Sequence, residues 1–193
     1  MNPWIAVVKL LAGFAIGAIP FAVISLWGTG INVTKEGSRN PGFNNVLRVS
    51  SRWRAAIALL GDLAKGGVAV AILTSAGESE WIAWGVGLAV VAGHCWTPFL
   101  GFNGGKGVAT MVGALLYLEF TVTIICLPLY PILRAFGRRM GWAQEGAISS
   151  MTTMTVIAVS VLILRGPALG AFALAGLGIV ILRHASNLRE LVS

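Results

Sequence analysis

A group of glycines around one lysine, in the stretch GFNGGKGVAT, has the residue types that bind a phosphate group. Gly104, Gly105 and Gly107 lack side chains, so successive backbone N–H groups can converge on an anion, and Lys106 adds positive charge. A helix predicted to begin at about Val108 would point its positive end at the same place. The lysine is followed by glycine rather than serine or threonine, so this is not a Walker A loop and an ATPase is not expected. The alternative is a flexible interfacial turn.

The stretch GSRNPGFNNVLR is a second candidate for anion binding. Ser38, Asn40 and Asn45 offer short polar side chains, and the turn at Gly42, which follows a proline, brings them together. Arg48 can hold an oxyanion with two parallel N–H groups. The alternative is a polar loop whose arginines face lipid headgroups.

Near the C-terminus, RHASNLRE places His184 and Asn187 three residues apart on a predicted helical turn beside Arg183. Next to a bound anion the imidazole could donate to phosphate or take a proton from a hydroxyl. The alternative is an interfacial histidine that is simply solvated. For His94, which is predicted to lie in or near lipid, a hydrogen-bonded structural role is favoured over catalysis.

The sequence lacks the residues that several other kinds of chemistry require. The two cysteines, Cys95 and Cys126, form no CxxC pair or zinc-type spacing with histidine, so no metal site is predicted and both are interpreted as inert thiols. There is no GxSxG elbow. The positions five beyond each histidine hold Phe99 and Arg189, so the His, four residues, Asp signature of another acyltransferase class is missing.

The composition predicts an integral membrane protein. Of its 193 residues, 56% are hydrophobic and 11% charged, whereas soluble domains average about 25% charged. The formal net charge of +7 could indicate nucleic acid, but the cations flank apolar segments, so an anionic headgroup or substrate fits better. No stretch between apolar segments is long enough for a soluble domain. We expect one membrane domain over residues 1–193.

Seven apolar segments are predicted to position these polar stretches. Long apolar runs without alternation require helices, so the expected fold is all-α, a polytopic seven-helix bundle. The first segment lacks the features of a cleaved signal peptide and is interpreted as a retained helix. The third, fourth and fifth are shorter than a straight span needs and depend on their flanks. The segments are residues 4–27, 55–75, 81–92, 108–118, 121–133, 148–164 and 167–182.

With seven spans, the polar stretches fall on one side of the membrane. They are residues 35–48, 93–107, 134–146 and 183–190, here called islands 1 to 4. That side carries eleven cations, so the positive-inside rule puts the islands in the cytoplasm and the N-terminus outside. The alternative is a single helix through Glu119, which would leave six spans and divide the islands. Within the second span, Asp62 and Lys65 share a helical face and can pair, for structure or for function. Paired glycines such as Gly13 and Gly17 predict close helix packing.

The islands resemble the motifs of the PlsY-type acyl-phosphate:glycerol-3-phosphate acyltransferases. Those motifs look like GSGNxGATNVxR, GHxxPxxxxFKGGKGVAT, a short Ser-rich segment and RHxxNIxRL. The counterparts here read GSRNPGFNNVLR, GHCWTPFLGFNGGKGVAT, GAISS and RHASNLREL, in the same order. The likeness runs from the first helix nearly to the C-terminus. The Ser-rich motif, around Ser149 and Ser150, is the least specific of the four.

The resemblance implies a seven-helix bacterial inner-membrane enzyme that moves an acyl group from acyl phosphate to the first hydroxyl of glycerol 3-phosphate. The product is lysophosphatidic acid, and no cofactor or metal is implied. Ser38, Arg48, Lys106, His184 and Asn187 would line the phosphate site, over the glycine backbone of the second motif. The acyl chain would lie between helices, open to membrane lipid; the oligomeric state is not predicted.

This chain departs from the family pattern at five motif positions. Arg39 stands where the family has glycine, and Asn103 replaces a lysine; the other departures are Phe43, Asn44 and Thr97. Arg39 adds charge and Asn103 removes it, so the acceptor or its affinity can differ from the family norm. The second hypothesis is a transporter or binding protein for a phosphorylated solute, although no internal repeat is visible and the polar groups cluster at helix ends.

Overall fold

The computed structural model describes residues 3–74 and 77–192, and within these ranges it contains helices and no strand. The expected all-α class is therefore confirmed for the described residues. The α-helices in chain order are α1 (Pro3–Gly17), α2 (Phe21–Ser25), α3 (Phe43–Val49), α4 (Arg52–Leu73), α5 (Glu80–Cys95), α6 (Val108–Leu118), α7 (Phe120–Cys126), α8 (Leu129–Arg139), α9 (Glu145–Arg165), α10 (Pro167–Arg183) and α11 (Ala185–Val192).

Five stretches of the described residues are long and apolar enough to cross a membrane. They are Pro3–Ser25, Arg52–Leu73, Glu80–Leu100, Phe120–Arg139 and Glu145–Arg165, and Val108–Leu118 and Pro167–Arg183 are shorter apolar helices. All seven coincide in order with the predicted segments. The third segment is longer than expected, since α5 runs from Glu80 to Cys95. The predicted end of the second, Ser75, lies outside the described residues, and α4 ends at Leu73.

Two of the predicted segments are not single helices. The first is interrupted after Gly17 and resumes at Phe21, and the fifth is divided between α7 and α8. Each interruption contains a proline, Pro20 or Pro128. Proline lacks an N–H for the helical hydrogen bond and clashes with the preceding turn, which explains both breaks. A third break, at Glu119, separates α6 from α7, so no single helix runs through residues 108–133.

The chain divides into two compact units, Met1–Tyr117 and Leu118–Ser193. In the first unit, α1 packs against α5, with Gly13 next to Val86 and Gly17 next to the Val90 carbonyl. Because later residues of α1 contact later residues of α5, the two helices run parallel. A side chain at Gly17 would collide with the α5 backbone, which confirms the predicted use of glycine for close packing. After both helices end, the Thr97 hydroxyl donates to the Ala18 carbonyl at 2.7 Å. The segments that follow α1 and α5 therefore lie at the same end of this unit.

In the second unit, α7 and α8 pack along α9, and α9 packs against α10. Glu119, just before α7, is 2.8 Å from Arg165 at the end of α9. At the other end of α9, Glu145 is 3.6 Å from Arg134 and 3.3 Å from Arg138, both on α8. The α7–α8 segment therefore runs antiparallel to α9, with island 3 at the end opposite Glu119.

Candidate active site

The side chain of Asn45 stabilises the loop of island 1 through hydrogen bonds within that loop. Its side chain is fully buried, and its amide nitrogen donates to the carbonyls of Val33 and Glu36 at 2.9 and 3.0 Å. Its carbonyl oxygen accepts the Ser38 N–H at 2.8 Å. Both amide hydrogens are thus used within the loop, which corrects the expectation that Asn45 donates to an anion. It fixes the backbone that carries Ser38.

The side chains of Ser38 and Arg48 are exposed at island 1. Arg48 lies in the last turn of α3, a seven-residue helix that begins after Gly42, whose backbone is extended. The Asn40 side chain is half-buried beside Gly42. The island therefore presents a hydroxyl and a guanidinium to the surroundings from a loop that Asn45 holds in place.

Arg39 adopts a backbone conformation that suits glycine. Its φ is +59°, in the left-handed region, where a β-carbon crowds the following carbonyl. The corresponding motif position in the acyltransferases that the sequence resembles is glycine. Here a cation occupies a position whose backbone conformation suits glycine.

Replacing Arg39 by glycine is expected to raise the free energy of unfolding by up to about 1.5 kcal/mol. Removing the left-handed backbone strain stabilises the folded state by roughly 1–2 kcal/mol. The greater chain entropy of glycine stabilises the unfolded state by roughly 0.5–1 kcal/mol, which offsets part of that gain. Thermal unfolding in detergent measures the difference. Arg39→Ala is the matched control, because it removes the same charge but keeps the β-carbon. Equal unfolding midpoints for the two variants would contradict the explanation.

The glycine loop of island 2 folds back on the end of α5. The Gly104 N–H donates to the Cys95 carbonyl at 3.1 Å, and the Gly105 N–H donates to the His94 carbonyl at 3.2 Å. Both glycines are buried, and a β-carbon on Gly104 would overlap the His94 carbonyl oxygen. Only glycine permits this approach. The N–H groups of Gly104 and Gly105 are engaged by the end of α5, so in this structure they hold the loop in place, and the groups that could act on an anion are Lys106 and the start of α6.

The loop leads directly into a helix, as the sequence predicts. Gly107 has a φ of +81°, and α6 begins at Val108. Lys106 lies half-buried between the glycines, one residue before Gly107. Lys106 therefore lies beside the positive end of α6 along the chain, which is the order of residues expected of an anion site.

Islands 1 and 2 meet at Gly105. A β-carbon there would lie 3.1 Å from the Pro41 carbonyl oxygen and would overlap Nε2 of His94. Pro41 belongs to the turn that carries Asn40 and Gly42. The first unit therefore brings together two motifs that are about 60 residues apart in the sequence.

The predicted pair of Asp62 and Lys65 is confirmed and has a third member. Lys65 Nζ is 2.8 Å from Asp62 Oδ1, and His94 Nδ1 is 2.9 Å from Lys65 Nζ. The favoured structural role of His94 matches these contacts. The sequence gives no signal for its contact with Lys65, because the two residues lie on different helices, 29 positions apart.

In the second unit, the buried imidazole of His184 has a defined tautomer. Its Nδ1 is 2.7 Å from the Val180 carbonyl oxygen, which can only accept, so Nδ1 carries the proton. In the neutral ring, Nε2 then carries the lone pair, 3.4 Å from the Ser150 hydroxyl. Ser150 donates its one hydroxyl hydrogen to the Ala147 carbonyl at 3.0 Å, so its contact with Nε2 is one of proximity, and Ser149 donates to the Glu145 carbonyl at 2.6 Å. The Ser-rich motif and the histidine motif are therefore adjacent.

Islands 3 and 4 are joined through Gln144, a residue that the sequence motifs do not single out. Asn187 donates its amide to the Gln144 side chain at 2.5 Å, and Gln144 also bonds to Glu190. Gln144 precedes α9 with a φ of +57°. No short-range pattern predicts this contact, since its partners are 43 residues apart.

The predicted site residues are divided between the two units. Ser38, Arg48 and Lys106 belong to the first unit, together with the glycine loop. His184 and Asn187 belong to the second, together with Ser149 and Ser150. Across residues 3–74 and 77–192, no group of three His, Cys, Asp or Glu side chains could hold a metal ion.

Comparison with known proteins gives one consistent result. A sequence model described as Glycerol-3-phosphate acyltransferase matches residues 7–193. Glycerol-3-phosphate acyltransferases of Rubrobacter xylanophilus and Aromatoleum aromaticum are similar to the chain. The first is 33% identical over 188 residues, covering 96% of this chain and 91% of the relative. The second is 37% identical over 186 residues, covering 95% and 91%.

Solved structures agree with the sequence relatives. The chain is similar to crystal structures of PlsY (YgiH), an integral membrane glycerol 3-phosphate acyltransferase. The glycerol 3-phosphate form has a TM-score of 0.87 at 24% identity, covers 97% of this chain and 92% of that one, and supports the fold. The lysophosphatidic acid form has a TM-score of 0.83 at 25% identity, with coverage of 97% and 91%.

Proposed function

Because the chain belongs to the glycerol-3-phosphate acyltransferase family, we propose that it moves a fatty acyl group from acyl phosphate to the first hydroxyl of glycerol 3-phosphate. The product is lysophosphatidic acid, an early intermediate of phospholipid synthesis. The observation that carries the proposal is the buried glycine loop before α6, with Lys106 at its centre. A loop of this kind suits a phosphorylated substrate better than a neutral one.

Acyl phosphate is the donor whose chemistry this protein suits. It is a mixed anhydride, so phosphate leaves readily and no covalent enzyme intermediate is needed. The substrate hydroxyl oxygen attacks the acyl carbonyl carbon, the bond from that carbon to the phosphate oxygen breaks, and inorganic phosphate departs. The protein has to hold two phosphate groups and one hydroxyl together and to stabilise the negative charge that develops. Arg48, Lys106 and the positive end of α6 are of the right type.

His184 is proposed to accept the proton that the attacking hydroxyl loses. The Val180 carbonyl holds the proton of His184 on Nδ1, which leaves Nε2 as the basic atom of the neutral ring. Asn187, held by Gln144, is proposed as a second polar contact for substrate. Ser38 is assigned to anion binding rather than to carrying the acyl group, because its neighbours in the sequence, Gly37 and Arg39, supply no general base.

We infer that the chain crosses the bacterial inner membrane seven times, with the N-terminus outside and the islands in the cytoplasm. The five long spans and the two shorter apolar helices make up the seven crossings. Although α6 has only eleven residues, those from Thr110 to Leu115 are buried, so protein rather than lipid surrounds much of this short crossing. The break at Glu119 and the parallel course of α1 and α5 agree with this count. The positive-inside rule gives the orientation.

Single-cysteine labelling tests the crossings. In a variant without Cys95 and Cys126, cysteines introduced at Asn103 and at Ser186 are both expected to react from the cytoplasmic side only, because an odd number of spans separates the N-terminus from each. A cysteine at Gly77, between α4 and α5, is the control and should react only from outside. Reaction of the first two cysteines from opposite sides would contradict the seven crossings.

Release of inorganic phosphate tests the function. The purified protein, supplied with acyl phosphate and glycerol 3-phosphate, should release phosphate and form lysophosphatidic acid, and related polyol phosphates should be tried in parallel because of Arg39 and Asn103. No release with the wild-type protein would reject the proposal. Uptake of a phosphorylated solute by proteoliposomes, without phosphate release, would instead favour the transporter.

A further inference from the structure

Three ionisable side chains lie buried together in the first unit, beside the glycine loop. Asp62, Lys65 and His94 expose only 3%, 4% and 8% of their surface. Charged groups in a membrane span are costly unless they are paired, and they are usually retained for function. Asp62 compensates the charge of Lys65 within α4, but that pairing alone does not explain why either charge is kept.

Lys65 connects three elements of the unit. Its ammonium group is 2.8 Å from Asp62 on α4, 2.9 Å from Nδ1 of His94 at the end of α5, and donates to the Ile19 carbonyl at 2.8 Å. Ile19 lies in the break between α1 and α2, which precedes island 1. One side chain therefore ties the break after α1 to the start of island 2.

The same contacts define the orientation of the His94 ring. An ammonium group only donates, so the close approach of Lys65 makes Nδ1 an acceptor and leaves the proton of the neutral ring on Nε2. The distance from Nδ1 to Asp62 is longer, at 3.3 Å. Nε2 lies against Gly105, where a β-carbon would overlap it. The His94 main-chain carbonyl also accepts the Gly105 N–H.

We propose that Asp62, Lys65 and His94 form a positioning network that holds the glycine loop in the shape that binds the acceptor's phosphate group. Asp62 and Lys65 orient the His94 ring, and His94 supports Gly105 through both its ring and its carbonyl. The network acts through the loop and needs no contact with the substrate. This inference rests on the proposed function for its kinetic readout, although binding of inorganic phosphate tests it independently.

The chain provides a matched control for the loss of Lys65. Lys9 on α1 also pairs with a carboxylate, Glu78, at 2.6 Å within the same unit. It lies ten residues before Ile19 along the chain, about 15 Å at the helical rise. Lys9→Met and Lys65→Met each remove one ion pair from a membrane helix, but only the second touches the network.

Two measurements test the network: phosphate release, and calorimetric titration with inorganic phosphate. Both are made on the variants Lys65→Met, His94→Ala, His94→Gln and Lys9→Met. For Lys65→Met and His94→Ala, we expect the KM for glycerol 3-phosphate and the Kd of inorganic phosphate to rise about tenfold or more, with a smaller change in kcat. His94→Gln keeps an N–H near the position of Nε2 and should recover part of the loss. Lys9→Met should lower the unfolding temperature but leave both constants nearly unchanged.

A purely structural network would give a different result. If Lys65→Met and Lys9→Met both lower the unfolding temperature while neither changes the KM or the Kd, the inference is wrong. If Lys65→Met does not fold, equal constants for His94→Ala and the wild-type protein would reject it. Absence of phosphate release by the wild-type protein would reject the proposed reaction instead, and the phosphate titration would still decide the role of the network.

Discussion

Replacing Lys106 by alanine is expected to lower phosphate release by about 10²–10³-fold, the usual effect of removing one group that stabilises developing charge. Lys106 lies between Gly105 and Gly107, just before α6, so its ammonium is the charged group nearest along the chain to the positive end of that helix. The glycines and the helix end would remain in the variant. Their dipoles cannot replace a full positive charge beside a doubly charged phosphate.

The measurement is kcat/KM for glycerol 3-phosphate with the purified variant. Lys35→Ala is the matched control, because it also removes one lysine from the islands but acts on an exposed residue just outside the matching motif. It should keep nearly full activity. Comparable losses in both variants would mean that general charge at the membrane surface, rather than the loop lysine, supports the reaction.

The features that the sequence predicted well are those set by local chemistry. Glycines around a lysine, followed by an apolar stretch, predicted both the loop and the start of α6 at Val108. The pairing of Asp62 with Lys65 followed from their spacing of three residues on one helix. The order of the spans followed from the apolar segments, because a backbone in lipid has to bond within its own helix.

The features that the sequence did not predict depend on contacts between distant residues. Asn45 has the composition of a ligand-binding residue, and only the folded loop shows that its amide is already engaged by Val33 and Glu36. The contacts of Gln144 with Asn187 and of Lys65 with His94 each join residues on different elements. The breaks at Pro20 and Pro128 could have been predicted locally from the prolines themselves, but the segments were assigned from hydropathy, which does not register a helix break.

Replacing Gly104 by alanine is expected to lower kcat/KM by about 10²-fold, since a misplacement of about 1 Å near a reacting group can have that effect. The added β-carbon would overlap the His94 carbonyl oxygen and lie 2.9 Å from the Cys95 carbonyl oxygen. Both belong to the backbone of α5, which cannot rotate away as a side chain could. The loop has to move, and its hydrogen bonds to those two carbonyls would lengthen or break.

Gly178→Ala is the control that separates this effect from a general intolerance of larger residues. Gly178 lies inside α10, and a β-carbon there meets no atom within 4 Å. Alanine is the better helix former by about 1 kcal/mol, so this variant should be active and at least as stable as the wild-type protein. If Gly104→Ala keeps wild-type kcat/KM, the loop does not need its close approach to α5, and the phosphate site has to be sought elsewhere in the first unit.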